Sequence, residues 1–128
     1  MTASIDSRPA ASADAWRWWE ARRLRYNLGL AAAGWLAWGL FVVETLWLRD
    51  TFSISVSLTL VQGLIWLIAM GVANLLYLLG PVSEIVLRPA EPETYRRRMF
   101  GLGFWFSVSV PFLFPAFVLV GILATFGL

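Results

Sequence analysis

The sequence predicts an all-α integral membrane protein, with three transmembrane helices preceded by an amphipathic segment at the membrane interface. Three observations carry that expectation. Of 128 residues, 59% are hydrophobic and 14% charged, against roughly 45–50% apolar and about 25% charged in soluble domains. Three apolar runs are each long enough to cross a hydrocarbon core. The ten basic residues are all arginine, and they gather at alternate ends of those runs.

Residues 1–14, "MTASIDSRPAASAD", contain no apolar run and read as a mobile tail. They do not resemble a secretory signal, because the first apolar run starts late, is about twenty residues long and has no small-residue cleavage site behind it. Residues 15–27 read as a basic, aromatic interfacial helix carrying Trp16, Trp18, Trp19 and Tyr26 among Arg17, Arg22, Arg23 and Arg25. Aromatic rings suit headgroup depth and arginines meet phosphates there. On a helix Trp16, Trp19, Arg23 and Tyr26 fall near one face, and Glu20 can pair with Arg23. This helix is continuous with, or bent into, the first span.

The three-span domain covers 28–128, with spans at about 28–48, 56–79 and 100–126. At 1.5 Å per residue the first, "LGLAAAGWLAWGLFVVETLWL", is about 31 Å long, the thickness of a bilayer core. The second opens oddly. In "FSISVSLTL" apolar residues alternate with hydroxyls in a strand period, yet a lone strand in lipid leaves its backbone unpaired. A helix beginning between Phe52 and Leu58 is therefore expected, its hydroxyls bonded to the preceding turn.

Gly80 and Pro81 interrupt the second span, leaving Val82 to Leu87 as a short helical extension along the membrane surface. Pro92 suits a first helical position, with Glu91 and Glu93 at the positive end of the dipole and Arg96 and Arg97 one turn later. The third helix is thus expected to start near Pro92 and to enter lipid around Phe100. Pro111 and Pro115 each remove a backbone hydrogen bond and should bend it.

Orientation follows from the arginines. Arg8, Arg17, Arg22, Arg23 and Arg25 precede the first span, Arg88, Arg96, Arg97 and Arg98 lie between the second and third, and Arg49 alone follows the first. By the positive-inside rule the amino terminus and second loop are expected in the cytoplasm and the carboxyl terminus on the periplasmic or extracytoplasmic side.

Composition also excludes chemistry. The chain has no cysteine and no histidine, so thiolate sites are absent and no side chain has an unperturbed pKa near neutrality. Asp6, Asp14 and Asp50 all lie outside the spans, no carboxylates cluster at ligand spacing, and no phosphate-cradling loop is present. No catalytic residue, cofactor or metal site is expected, and the chain does not read as an enzyme. A net charge of +2 is too small to suggest a nucleic-acid partner.

Two candidate sites remain. Glu44 is the one ionisable residue inside a span and so a functional candidate by default, although it lies about 6 Å from the outer end, within reach of headgroups or Arg49. Asn74, Tyr77 and Gln62 read first as helix cross-links. The sharper reading gathers Arg22, Arg23, Tyr26, Asn27, Asn74, Tyr77, Glu84 and Arg96 into one polar site at the inner leaflet that binds an anionic lipid headgroup. Small-residue stripes at Gly29, Ala33 and Ala37 and at Ala69 and Ala73 favour close helix approach.

The blocks "WWEARRLRYNLGL", "ANLLYLLGPVSE" and "YRRRMFGLGFWFSVSVPF" resemble a group of small bacterial membrane proteins with three predicted spans, uncharacterised as a group. The resemblance covers most of the chain after Asp14. It implies a bacterial inner-membrane location and a shared role for Glu20, Arg22, Arg23, Tyr26, Asn27, Asn74, Tyr77, Gly80, Glu84, Tyr95 and Arg96, but no activity.

The functional expectation is a non-enzymatic membrane component whose arginine-rich cytoplasmic face binds anionic lipid or a partner protein, as a homo-oligomer or within a larger complex. The alternative is an oligomeric small channel or proton-coupled transporter that uses Glu44.

Overall fold

The computed structural model describes residues 7–47 and 55–127. Every element among them is helical: α1 (Ser7–Trp47), α2 (Val56–Tyr77), α3 (Leu79–Leu87), α4 (Pro92–Ser109), a 3-10 turn (Val110–Phe112) and α5 (Leu113–Phe126). Three continuous or near-continuous helical stretches are long and apolar enough to cross a membrane, so the chain is an all-α protein of three membrane-spanning helices.

α1 has 41 residues, about 61 Å at 1.5 Å per residue, twice a bilayer core. Its length follows from composition. After Pro9, which sits in the first turn where a missing N–H breaks no helical bond, no proline occurs before the helix ends. The tail expected over 1–14 is thus partly helical: Ser7 to Asp14 extend α1, since Ala10, Ala11 and Ala13 favour helix and Asp14 is tied to α4 by Arg96. Residues 1–6 lie outside the described set, as do 48–54 with Arg49 and the first part of the alternating stretch.

The buried stripe of α1 comprises Ala15, Trp19, Tyr26, Leu30, Ala33, Ala37, Phe41 and Thr45, steps of three, four and seven that hold one face of a helix. This corrects the grouping of Trp16 with Trp19. Trp19 is 3% exposed and Trp16 38%, because the inward face of segment 15–27 meets α3 and α4 rather than headgroups. Of the small-residue stripes, Ala33 and Ala37 are buried and Gly29 lies directly under the Phe104 ring, whereas Ala69 is exposed. Gly34 receives the Trp66 indole in the same way.

α2 starts where Ser55 accepts a hydrogen bond from the Leu58 N–H at 3.1 Å, an N-cap that satisfies an orphan donor. Within the described residues, Val56 onward is helix and the strand period is not followed. α2 ends at Tyr77 because Pro81 has no N–H for the Tyr77 carbonyl, and the Leu78 N–H turns back to Leu75 at 3.1 Å. α3 closes with Arg88 in the left-handed region, φ 48°, and Pro89 prevents its continuation. α4 opens on Pro92, and Pro111 tightens its far end into the 3-10 turn.

α1 packs against α3, α4, α5 and, less closely, α2, while α2 and α4 scarcely meet. The first half of α1, α3 and the opening turns of α4 form a cap at the arginine-rich end, continuous with the spans.

Candidate functional site

The cap is organised around Glu84, a carboxylate in the middle of α3. Both it and Arg96 are nearly enclosed, at 7% and 9% side-chain exposure. Arg96 Nε donates to Glu84 Oε1 at 2.8 Å, and its Nη2 lies 2.7 Å from the same oxygen. Trp19 Nε1 donates to the other oxygen, Oε2, at 2.9 Å. Arg96 Nη2 also reaches Asp14 Oδ2 at 2.9 Å. One carboxylate therefore ties α1, α3 and α4 together with its charge matched, the condition a buried ion must meet. The Glu84 hydrogen bond raises the Arg96 guanidinium further above its ordinary value, against the opposing effect of burial and with help from Asp14.

A second layer lies one to two turns deeper. Tyr77 OH donates to the Trp19 carbonyl at 2.7 Å. Asn27 and Asn74 exchange amide hydrogen bonds of 3.1 and 2.7 Å, and each amide also donates to the carbonyl four residues back, Arg23 and Met70 respectively. Tyr26 OH shares a 2.7 Å hydrogen bond with Ser107 Oγ and lies 3.3 Å from the Ala73 carbonyl. The rings fill the spaces between, with Tyr26 and Tyr77 centroids 4.7 Å apart. Tyr95 OH to Ser83 Oγ, 2.7 Å, pins α4 to α3.

Thus Tyr26, Asn27, Asn74, Tyr77, Glu84 and Arg96 do come together, but they spend their hydrogen-bonding groups on one another and on neighbouring groups of the protein. Such pairs cross-link helices. The remaining two are half-buried at the edge of this cluster. Arg22 stacks on Trp18, 3.6 Å above the ring centroid, and donates to the Trp18 carbonyl at 3.1 Å. Arg23 pairs with Glu20 at 3.1 Å, as the sequence spacing suggests, while its Nε is enclosed without a hydrogen-bond partner among the described residues.

Around this braced core stands the rest of the positive charge. Arg25, Arg88 and Arg98 are exposed, and with Arg22 they have no carboxylate partner within ion-pair distance among the described residues. Arg97 pairs with Glu93 at 2.9 Å, and that hydrogen bond holds the Glu93 carboxyl below its usual range.

Glu44 stands apart, at the opposite end of α1. It is half-buried, and its Oε2 has no hydrogen-bond partner among the described residues; Arg49, which with the headgroups was one of its two expected neighbours, lies outside them. No group of three or more metal-ligating side chains occurs among the described residues.

Sequence reasoning did not assign Asp14, Trp19, Ser83 or Ser107 to the polar layers. Compared with known protein families, with curated proteins and with solved structures, the chain matches none.

Proposed function

We propose that this protein is a non-enzymatic membrane component whose arginine-rich end engages anionic lipid, or a partner protein presenting acidic groups, within an oligomer or larger complex. The reading places it in a bacterial inner membrane with that end in the cytoplasm and the carboxyl terminus outside. The observation that supports it most is the contrast in the cap. Its buried polar groups, Arg23 Nε excepted, are matched internally, while among the described residues Arg22, Arg25, Arg88 and Arg98 are left without carboxylates. Each arginine near an anionic surface contributes about 1 kcal/mol, and a cross-braced support spares the entropy of ordering the cap on binding.

The test is native mass spectrometry of the full chain from a mild detergent with mixed anionic and neutral phospholipids. Retention of anionic lipid should exceed that of phosphatidylcholine and fall with salt. Arg22→Gln, Arg25→Gln and Arg88→Gln combined should remove the excess. Equal retention of all lipids, with no second protein recovered, would overturn the reading.

A second reading, an oligomeric channel or proton-coupled transporter, draws on the enclosed Glu44 oxygen. The interior of one chain is filled by Leu30, Ala33, Ala37 and Phe41, so such a pathway would run between chains. Glu44→Gln would then abolish flux in proteoliposomes; unchanged flux would remove this reading.

A further inference from the structure

Two hollows on the α4 side of the protein run into one another. The outer one, about 580 Å³, lies at the arginine-rich end against Glu91, Thr94, Tyr95 and Arg98. The inner one, about 380 Å³, lies in the gap between α2–α3 and α4, with Trp19 and Tyr26 of α1 as its floor and Leu76, Leu79, Gly103 and Phe106 along its sides. Tyr95, Met99 and Leu102 line both. The result is one trench that starts among charged groups and continues down the membrane span. It opens sideways, since Leu76, Leu79, Leu102 and Phe106 are 52 to 67% exposed.

The trench changes chemistry along its length. Its inner hydroxyls are satisfied within the protein, Tyr95 with Ser83 and Tyr26 with Ser107, so an apolar chain laid over them would strand no buried donor. At the outer end Arg98 and Glu91 line the same hollow but form no ion pair with each other or with any other described residue. Opposite charges held apart match a ligand that carries an anion and a cation in its head. Glu91 Oε2 accepts the Thr94 hydroxyl at 3.2 Å but its charge meets no cation among the described residues, and a primary ammonium supplies both the charge and N–H donors. A quaternary ammonium has none and would require an aromatic cage, whereas the outer hollow offers the single ring of Tyr95.

We infer that the trench seats one phosphatidylethanolamine-type phospholipid, its phosphate on Arg98, its primary ammonium on Glu91, and one acyl chain running past Met99 and Leu102 over Gly103. This site shares Arg98 with the arginine surface of the proposed function and goes beyond it in naming a lipid class and an acyl-chain path that do not depend on Arg22, Arg25 or Arg88.

Gly103 makes the test clean. A Cβ there meets no other heavy atom within 4 Å, and the same holds for Gly101, which does not line the trench. The delipidated full-length protein in mild detergent would be titrated with phosphatidylethanolamine, phosphatidylglycerol and phosphatidylcholine of matched chains, with bound lipids counted by native mass spectrometry. At high salt, where the arginine surface is screened, phosphatidylethanolamine should bind at one per chain in preference to the other two. Gly103→Phe should weaken it at least tenfold and Gly101→Phe should not, with unfolding midpoints checked for both. Glu91→Gln should erase the preference over phosphatidylglycerol.

Equal binding by Gly103→Phe and Gly101→Phe, equal binding of the three lipids, or recovery of a protein in place of lipid would each overturn the inference. Failure of the arginine-surface reading looks different. It would leave phosphatidylethanolamine binding at Gly103 intact and show no effect of the Arg22, Arg25 and Arg88 substitutions.

Discussion

Arg96 and Glu84, twelve residues apart in sequence, meet as a nearly enclosed ion pair in which Nε and Nη2 lie 2.8 and 2.7 Å from one carboxylate oxygen. Removing one partner of such a pair leaves the other buried and uncompensated, at a cost of about 3–5 kcal/mol. Glu84→Gln should therefore destabilise the protein by that order in a detergent unfolding titration. The double replacement Glu84→Leu with Arg96→Met should cost much less than the sum of the single ones. Additive losses would show that the pair does not act as a unit. Asp14→Asn, at the solvent end where Asp14 is 59% exposed, should cost no more than about 1 kcal/mol.

Gly80 admits the Trp19 indole that reaches Glu84. A Cβ at Gly80 would sit 2.5 Å from the ring, while one at Gly63 meets nothing within 4 Å. Gly80→Ala should lower stability by about 1–3 kcal/mol through overpacking, whereas Gly63→Ala should be neutral or stabilising. Thermal unfolding in the same detergent checks the ordering; a harmless Gly80→Ala would argue against the tight seat of Trp19.

The reciprocal Asn27–Asn74 amides lend themselves to a double-mutant cycle with leucine. Interhelical pairs of this kind measure about 0.6 kcal/mol on average and up to about 1.7, and the pair here, satisfied on both sides, should fall in the upper half. A coupling energy indistinguishable from zero would mean that the two amides solvate separately.

Glu93, ahead of the apolar stretch of α4, carries a carboxyl lowered by its hydrogen bond from Arg97. Because the folded value lies below the unfolded one, the contribution is present above the unfolded pKa and disappears as pH falls through the folded one. The stability difference between wild type and Glu93→Gln should accordingly shrink as pH drops through the acidic range. A difference independent of pH would contradict the assignment. The effect should be small, since the pair is exposed.

The absence of native cysteine permits single-cysteine labelling without background. Ala90→Cys, between α3 and α4, should react with an impermeant maleimide only after the cells are opened, and Thr51→Cys, between α1 and α2, in intact cells. The reverse pattern would invert the orientation derived from the arginines.

The spans were legible because length and apolar composition suffice for them, and the Pro92 start and the proline-linked interruptions were legible because proline acts locally. The polar residues were legible as a group, since Asn27, Asn74, Tyr77 and Glu84 are conspicuous beside apolar runs and Arg96 belongs to an arginine cluster at the start of a span. Their partners were not. Periodicity places Trp19 and Tyr26 on one face of a helix but does not say whether that face meets headgroups or another helix, and the arginines around them favoured the former. Asp14 was hidden by its place in an alanine- and serine-rich stretch. Its role depends on Arg96, 82 residues away, and separations of that kind are set by tertiary packing. The trench was also out of reach, because it exists where α2 and α4 fail to close.

The uninterrupted α1 has a consequence for the order in which the chain is made. Its Trp19 indole finds Glu84 only 65 residues later and its Asn27 amide finds Asn74 only 47 residues later. At about 5–20 residues per second, ribosomal synthesis leaves the indole waiting roughly 3–13 s for its acceptor. During that interval the nascent first helix must stay where water, headgroups or the insertion machinery can satisfy its polar groups. The cap locks only when Arg96 emerges, so the last span is delivered to a bundle whose first helix has already committed its position.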